Sequence, residues 1–420
     1  MTDTPRSSLS VRLFRILLPF AFGYFLSYIY RVVNAVLAPD LVADLGLDAS
    51  LLGLLSSTYF LTFAVFQLPL GILLDRYGPR RIEATLLLIA AAGAALFALA
   101  ESVPMLIFAR GLIGLGVSAC LMGAFKAYVV WFSKERLPLI NGLQMAAGGL
   151  GALVGTTPVE MALGFTDWRG VFMGLAALTV LSSALVFALV PEHDAPHTET
   201  RLSDQVKGTI GVFQSPLFWR IAPVTMLTQA GFISVASLWA GPWFHDVAGF
   251  DRVGVANGLF WMAAAMVAGF LSLGALAERL HRVGIRPVTV TLYAQTIFVA
   301  IGLVLAFFIT PERVQATPGL GIGLWMVFGF FGTSGIVAYA VLSQAFPPHL
   351  AGRVNTSINM LVFVLAFAGQ WGLGIIIDQF PATEAGAYHP DAYRAALGLL
   401  AGLQALGILW YMAYRKARFD

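Results

Sequence analysis

Twelve apolar stretches alternate along the chain with short polar segments, over residues 13–37, 51–74, 82–100, 104–132, 139–163, 171–190, 218–244, 255–277, 288–309, 320–346, 355–377 and 395–414. A hydrocarbon core ~30 Å thick is crossed by ~20 apolar residues in a helix, and a helix satisfies its own backbone groups where lipid cannot. The pattern predicts an all-α polytopic membrane protein with twelve transmembrane helices. One polar segment is longer than the others and carries Glu192, His193, Asp194, His197, Glu199, Arg201, Asp204 and Lys207. It divides the chain into an N-terminal six-helix bundle (1–190), a linker (191–217) and a C-terminal six-helix bundle (218–420).

Composition excludes a water-soluble alternative: 59% of the 420 residues are hydrophobic and 11% charged, against roughly 25% charged in an ordinary globular domain. The net charge of +3 comes from residues gathered between the apolar runs, so the basic excess speaks of membrane orientation and not of nucleic acid. With the N-terminus inside, Arg6, Arg12, Arg15, Arg76, Arg80, Arg81, Lys134, Arg136, Arg201, Lys207, Arg220, Arg279, Arg282, Arg286, Arg353, Arg415, Lys416 and Arg418 share one side. Arg169, Arg252, Arg313 and Arg394 share the other, an 18-to-4 division of the 25 basic residues that predicts both termini in the cytoplasm. The three left over (25 − 18 − 4 = 3) are Arg31, Arg110 and Lys126, all inside spans. The first apolar run is too long for a signal-peptide core and reads as an uncleaved first helix. Cys120, the single cysteine, reads as a small apolar residue.

The two halves echo each other. Gly71…Asp75-Arg76…Gly78…Arg80 after the second span has a counterpart in Gly274…Glu278-Arg279…Gly284…Arg286 after the eighth, and a weaker echo links Phe132–Asn141 with Phe346–Asn355. Two similar halves on a polar linker suit a carrier that rocks about a central site.

Gly71-Ile-Leu-Leu-Asp75-Arg76-Tyr77-Gly78-Pro79-Arg80-Arg81 matches the G-x-x-x-D-R-x-G-x-R-R signature, and Arg110-Gly111-Leu-Ile-Gly114-Leu-Gly116 resembles R-x-x-x-G-x-G. By these motifs and by Trp168-Arg169-Gly-Val-Phe172, the chain resembles the major facilitator superfamily along essentially its whole length. The resemblance implies a monomeric inner-membrane carrier without cofactor, gated at the cytoplasmic face by Asp75, Arg76, Arg80 and Arg110, with Glu278 and Arg279 as the echo. The helix-five motif of drug–proton antiporters is incomplete, since Gly148, Gly149, Gly151 and Gly155 are present but Pro158 is displaced. Tyr28-Ile-Tyr30-Arg31-Val-Val-Asn34 resembles the Y-x-D-R-x-N stretch of the organic-anion branch, with Tyr30 in place of the Asp.

A charge inside a span normally faces a cavity or a partner. At about 100° per residue, Tyr24, Tyr28, Arg31 and Asn34 fall on one polar stripe, and the Arg31 guanidinium offers paired donors to a carboxylate or phosphate; a packing role against backbone carbonyls is the alternative. Lys126 is a second candidate, close enough to the span end to snorkel instead. Gln229, Trp239, Tyr339 and Asn359 are further candidates for substrate contact or for helix packing. No Asp or Glu is expected at mid-depth: Asp40, Asp44 and Asp48 follow the first span, Asp75 is in the loop, and Glu160 and Asp378 are at span ends. Cations without a central acid favour an anionic solute. No metal-ligand spacing or nucleophile–base arrangement occurs in the spans, so an enzyme is not expected. The reading is a secondary or facilitative transporter of a small organic anion; an exporter of amphipathic compounds and a non-transporting sensor are the alternatives.

Overall fold

The computed structural model describes residues 9–192, 202–347, 350–383 and 386–414. Arg6, His193, Asp194, His197, Glu199, Arg201, Arg415, Lys416 and Arg418 therefore lie outside the described residues. The principal helices are α1 (Leu18–Val32), α2 (Ala49–Ala98), α3 (Val103–Gly116), α4 (Met122–Trp131), α5 (Leu137–Val154), α6 (Trp168–Leu189), α7 (Pro216–Ser234), α8 (Arg252–Arg282), α9 (Pro287–Phe307), α10 (Pro318–Gly332), α11 (Gly335–Gln344), α12 (Ala351–Ile377) and α13 (Pro390–Ala413). Among the described residues nine helical stretches are long and apolar enough to cross a membrane. The protein is an all-α polytopic membrane protein.

Local chemistry sets the helix boundaries. Asp48, Asp167 and Asp251 precede α2, α6 and α8, and each side chain accepts a hydrogen bond from a first-turn amide, Leu51 N, Gly170 N and Gly254 N respectively. Such caps are each worth about 1 kcal/mol. The 50-residue α2 is two helices joined at Gly78, whose φ of 77° and ψ of 159° are not helical. Glycine takes that positive φ without a Cβ clash, and Pro79 then restarts the helix with φ already fixed. Asp75, Arg76 and Tyr77 thus close one segment, and Arg80 and Arg81 open the next.

Small residues set the spacing. A Cβ on Gly114 would run into Tyr59 O and one on Gly116 into Ala90 N, so α3 lies backbone to backbone against both segments of α2. Close approach of this kind takes the place of the missing hydrophobic drive between helices in lipid. The turn after α3 carries Cys120, buried and free. Across the linker, the first segment of α2 packs along α12: Phe63 and Phe363 have ring centroids 4.5 Å apart, and Gly374 meets the backbone of Ala49.

Candidate functional site

Arg31 closes the last turn of α1, where segments from before and after the linker meet. Its guanidinium carbon lies 4.5 Å from the ring centre of Tyr28, 5.3 Å from Phe363 and 5.9 Å from Phe63. These rings come from α1, α12 and α2, so three helices frame one cation. The titratable groups acting on it most strongly are Tyr59, which also hydrogen-bonds to it, Tyr28 and Tyr24, none of them a carboxylate. Its Nε is buried with no hydrogen-bond partner among the described residues, while the residue as a whole keeps intermediate exposure. Aromatic faces stabilise a cation by about 0.5–2 kcal/mol without neutralising it. The charge is held in place by these rings.

Of the sequence candidates, the structure gathers Tyr24, Tyr28, Tyr339 and Asn359 near Arg31. Tyr24 packs edge-on to Tyr28 at 5.1 Å and points its hydroxyl toward Met145 Sδ, 3.8 Å away. Tyr339 lies within electrostatic range of Arg31, and its hydroxyl donates to Asn359 Oδ1 at 3.3 Å. Asn359 is one turn from Phe363, on the same side of α12. Three other candidates are engaged elsewhere. Asn34 donates to Ser56 Oγ at 2.9 Å; Trp239 donates through Nε1 to Gln370 O at 3.0 Å; the Gln229 amide lies against Gly335.

Asp75, Arg80 and Arg81 of the first motif collect at one end of the molecule, close to Glu192 and Lys126. Asp75 pairs with Lys126, each side chain about one-third exposed. Arg80 donates to Phe187 O at 2.9 Å and meets Glu192 at 3.4 Å, and Arg81 pairs with the same carboxylate. Arg76 lies over the Tyr77 ring at 5.3 Å. Glu278 pairs with Arg282 one turn along α8 at 2.5 Å, both exposed, with Arg279 in the same last turn. Arg110 is buried behind the central rings, 5.1 Å from the centre of Tyr59, and its Nε and Nη1 have no partner among the described residues.

Two features at the opposite end escaped the sequence reading, which saw only a basic residue in a loop and acids at span ends. Arg252 sends two nitrogens to Asp40 at 2.7 and 2.8 Å and its Nε to Glu160 Oε1 at 3.0 Å. One guanidinium therefore ties the start of α8 to two segments on the far side of the linker. Asp378, beyond α12, accepts from Ala49 N at 2.9 Å and Ser50 N at 2.8 Å, the first amides of α2. A helix N-terminus carries partial positive charge, which a carboxylate complements. A cleft of about 640 Å³ opens beside this network, lined by Asp40, Asp44, Glu160, Trp168 and Arg252. Asp44 accepts from Trp168 Nε1 at 2.7 Å, tying the Trp-Arg motif to the same end.

One correction concerns the acids. Glu83, passed over in the sequence, is a carboxylate inside the second segment of α2 with no exposed surface at all. Its two oxygens have no hydrogen-bond partner among the described residues. The helix begins at Pro79, not near Ile82, which carries Glu83 past the basic stretch and into the packed interior.

Comparison with known proteins agrees with this architecture. The family model for the Major Facilitator Superfamily matches residues 20–370. The probable sulfoacetate transporter SauU of Cupriavidus necator is 26% identical over 62% of this chain and 63% of its own length, a match spanning less than two thirds of that relative. The probable L-galactonate transporter of Escherichia coli is 23% identical over 93% of this chain and 86% of its own. In fold, the chain is similar to a bacterial homolog of the human lysosomal transporter Spinster, solved in an inward-facing and unoccupied conformation, with a TM-score of 0.74 at 16% identity over 98% of this chain and all of that one. With 351 of 420 residues inside the family match (370 − 20 + 1 = 351), the chain belongs to the Major Facilitator Superfamily.

Proposed function

We propose that the protein is a secondary transporter of a small organic anion, a carboxylate, sulfonate or phosphate ester, working by alternating access in a bacterial inner membrane. In this reading the nine long stretches and the shorter apolar helices make twelve crossings. They form two six-helix bundles, 1–190 and 218–420, joined by the 191–217 linker, with both termini cytoplasmic. The Asp75 end then faces the cytoplasm and the Arg252 end faces outward. The observation that carries the anion is Arg31: a cation that rings from three helices hold and that pairs with no carboxylate among the described residues. Sulfoacetate and L-galactonate, named for the two relatives, are both anions and support the same class. Arg31 binds the anionic group, with Tyr24, Tyr28, Tyr339 and Asn359 around it, while Asp75, Lys126, Arg80 and Glu192 belong to the cytoplasmic gate.

Uptake of labelled sulfoacetate and galactonate into proteoliposomes, with thermal-shift titration of the same anions, tests the reading. Loss of the charge-assisted contact in Arg31→Ala should cost about 1.5–3 kcal/mol, roughly 10- to 150-fold in affinity. Arg31→Lys should fall between, because an ammonium cannot reproduce the two-donor fork. A folded Arg31→Ala protein that binds its best anion as tightly as the wild type would overturn the anion assignment.

A further inference from the structure

Glu83 stands at the bottom of a cradle built from glycine. A Cβ on Gly23 of α1 would sit 2.9 Å from its Oε1, and one on Gly123 of α4 would sit 2.7 Å from its Oε2. Any other residue at either position would push into the carboxylate, so two helices leave room for this one group. Ser182 of α6 lies beside Gly23, its own hydroxyl also without a partner among the described residues. Leu74 closes the side toward the first segment of α2. The titratable groups that sense Glu83 are Cys120, just before α4, and Tyr128 on α4, whose hydroxyl is committed to Gln144 Oε1 at 2.6 Å. Of the cations on or against α4, Lys126 is paired with Asp75 and Arg12 donates to Trp131 O at 3.2 Å.

An ionised carboxylate shut away from water with neither a hydrogen bond nor a counter-charge is far costlier than the neutral acid. The cation that could change this is one turn away. Lys126 follows Gly123 by three residues, about 4.5 Å along the axis, and a helical side chain leans over the turn N-terminal to its own Cα. In this conformation its ammonium is on Asp75, while its backbone shares a turn of α4 with the Gly123 side of the cradle.

We propose that Glu83 is a proton-binding residue of the transport cycle, served by Lys126, which holds Asp75 in this conformation and turns to Glu83 when Asp75 withdraws. With Lys126 on Asp75, Glu83 is the neutral acid. When the gate loop moves, Asp75 passes into water and the Glu83 O–H bond breaks. The proton leaves with water admitted from the Asp75 end, and the carboxylate left behind pairs with the ammonium. Lys126 carries a counter-charge in both states, and one proton is exchanged per cycle. The proposal rests on the transporter reading, and its test is chosen to need no substrate.

The test is infrared spectroscopy of the purified full chain at pH 7, read in the carbonyl stretch of protonated carboxyl groups. The wild-type minus Glu83→Gln difference should contain one such band, and Glu83→Asp should move it in frequency, which covers the case of a Gln variant that does not fold. Asp75→Asn frees Lys126 and should remove more than half of the band; Asp75→Asn with Lys126→Met should restore it. A wild-type spectrum without the band, or one unchanged in Glu83→Gln, overturns the proton site. A band untouched by Asp75→Asn overturns the exchange through Lys126. Failure of the anion assignment would leave all these spectra as they are.

Discussion

At the Arg252 end one guanidinium faces two carboxylates contributed by segments before the linker, and Asp378 reaches back to the first amides of α2. At the Asp75 end the ion pairs described, Asp75 with Lys126 and Arg80 and Arg81 with Glu192, stay within the first 192 residues. The contrast separates two uses of charge. A pair that joins the two sets of helices must break before that end can part, whereas a pair inside one set can travel with it. Among the described ion pairs, those that join the two sets of helices therefore lie at the Arg252 end, and their strength would bias which side opens.

The largest effect should come from Arg252→Ala. Two carboxylates lose a shared partner, but Arg252 is 45% exposed, so water recovers much of the loss and about 1–2 kcal/mol should remain. That is a 5- to 30-fold shift in population. Spin labels at Phe165 (92% exposed) and Val253 (58% exposed) would report it as a new long-distance population in pulsed-dipolar spectra. An unaltered distribution would mean that the fork is not a latch.

Asp378→Asn should act in the same direction and more weakly. The amide oxygen can still accept from Ala49 N or Ser50 N, but the charge facing the helix N-terminus is gone, a loss of about 0.5–1 kcal/mol. The same label pair should show a two- to five-fold shift. An effect exceeding that of Arg252→Ala would make the helix cap, and not the fork, the main closure.

Smallest of all should be Glu192→Gln, which removes the common partner of Arg80 and Arg81. The side chains are 23%, 59% and 45% exposed for Arg80, Arg81 and Glu192, and exposed pairs contribute about 0–1 kcal/mol. The distances reported by the labels should stay put. A displacement as large as that of Arg252→Ala would show that the two ends do not differ in the way argued here.

Much of the frame was legible because a span and a turn are local. Apolar runs gave the helices, and a periodicity of 3.6 put Tyr24, Tyr28 and Arg31 on one stripe. What the stripe could not show was where each side chain finds its partner: Asn34 donates to Ser56 Oγ. The opposite latch was hidden for a different reason. Arg252 meets residues 212 and 92 positions earlier, and charge counting by loop carries no partner information. Glu83 was missed because it is the second residue of the third span, which directly follows two arginines. Its burial depends on glycines 60 positions before and 40 after (83 − 23 = 60, 123 − 83 = 40), and only packing brings these together.

Cys120 gives the molecule a chemical reporter of its own. Thiol reagents attack the thiolate and must arrive with water, and the single sulfhydryl of this chain is sealed in the wall that also borders Glu83. In the conformation described here it should be inert to a small polar maleimide. Any state that wets the cradle would expose it, so the rate of alkylation of the unmodified protein becomes a clock for hydration. Cysteines introduced elsewhere would react against a silent background.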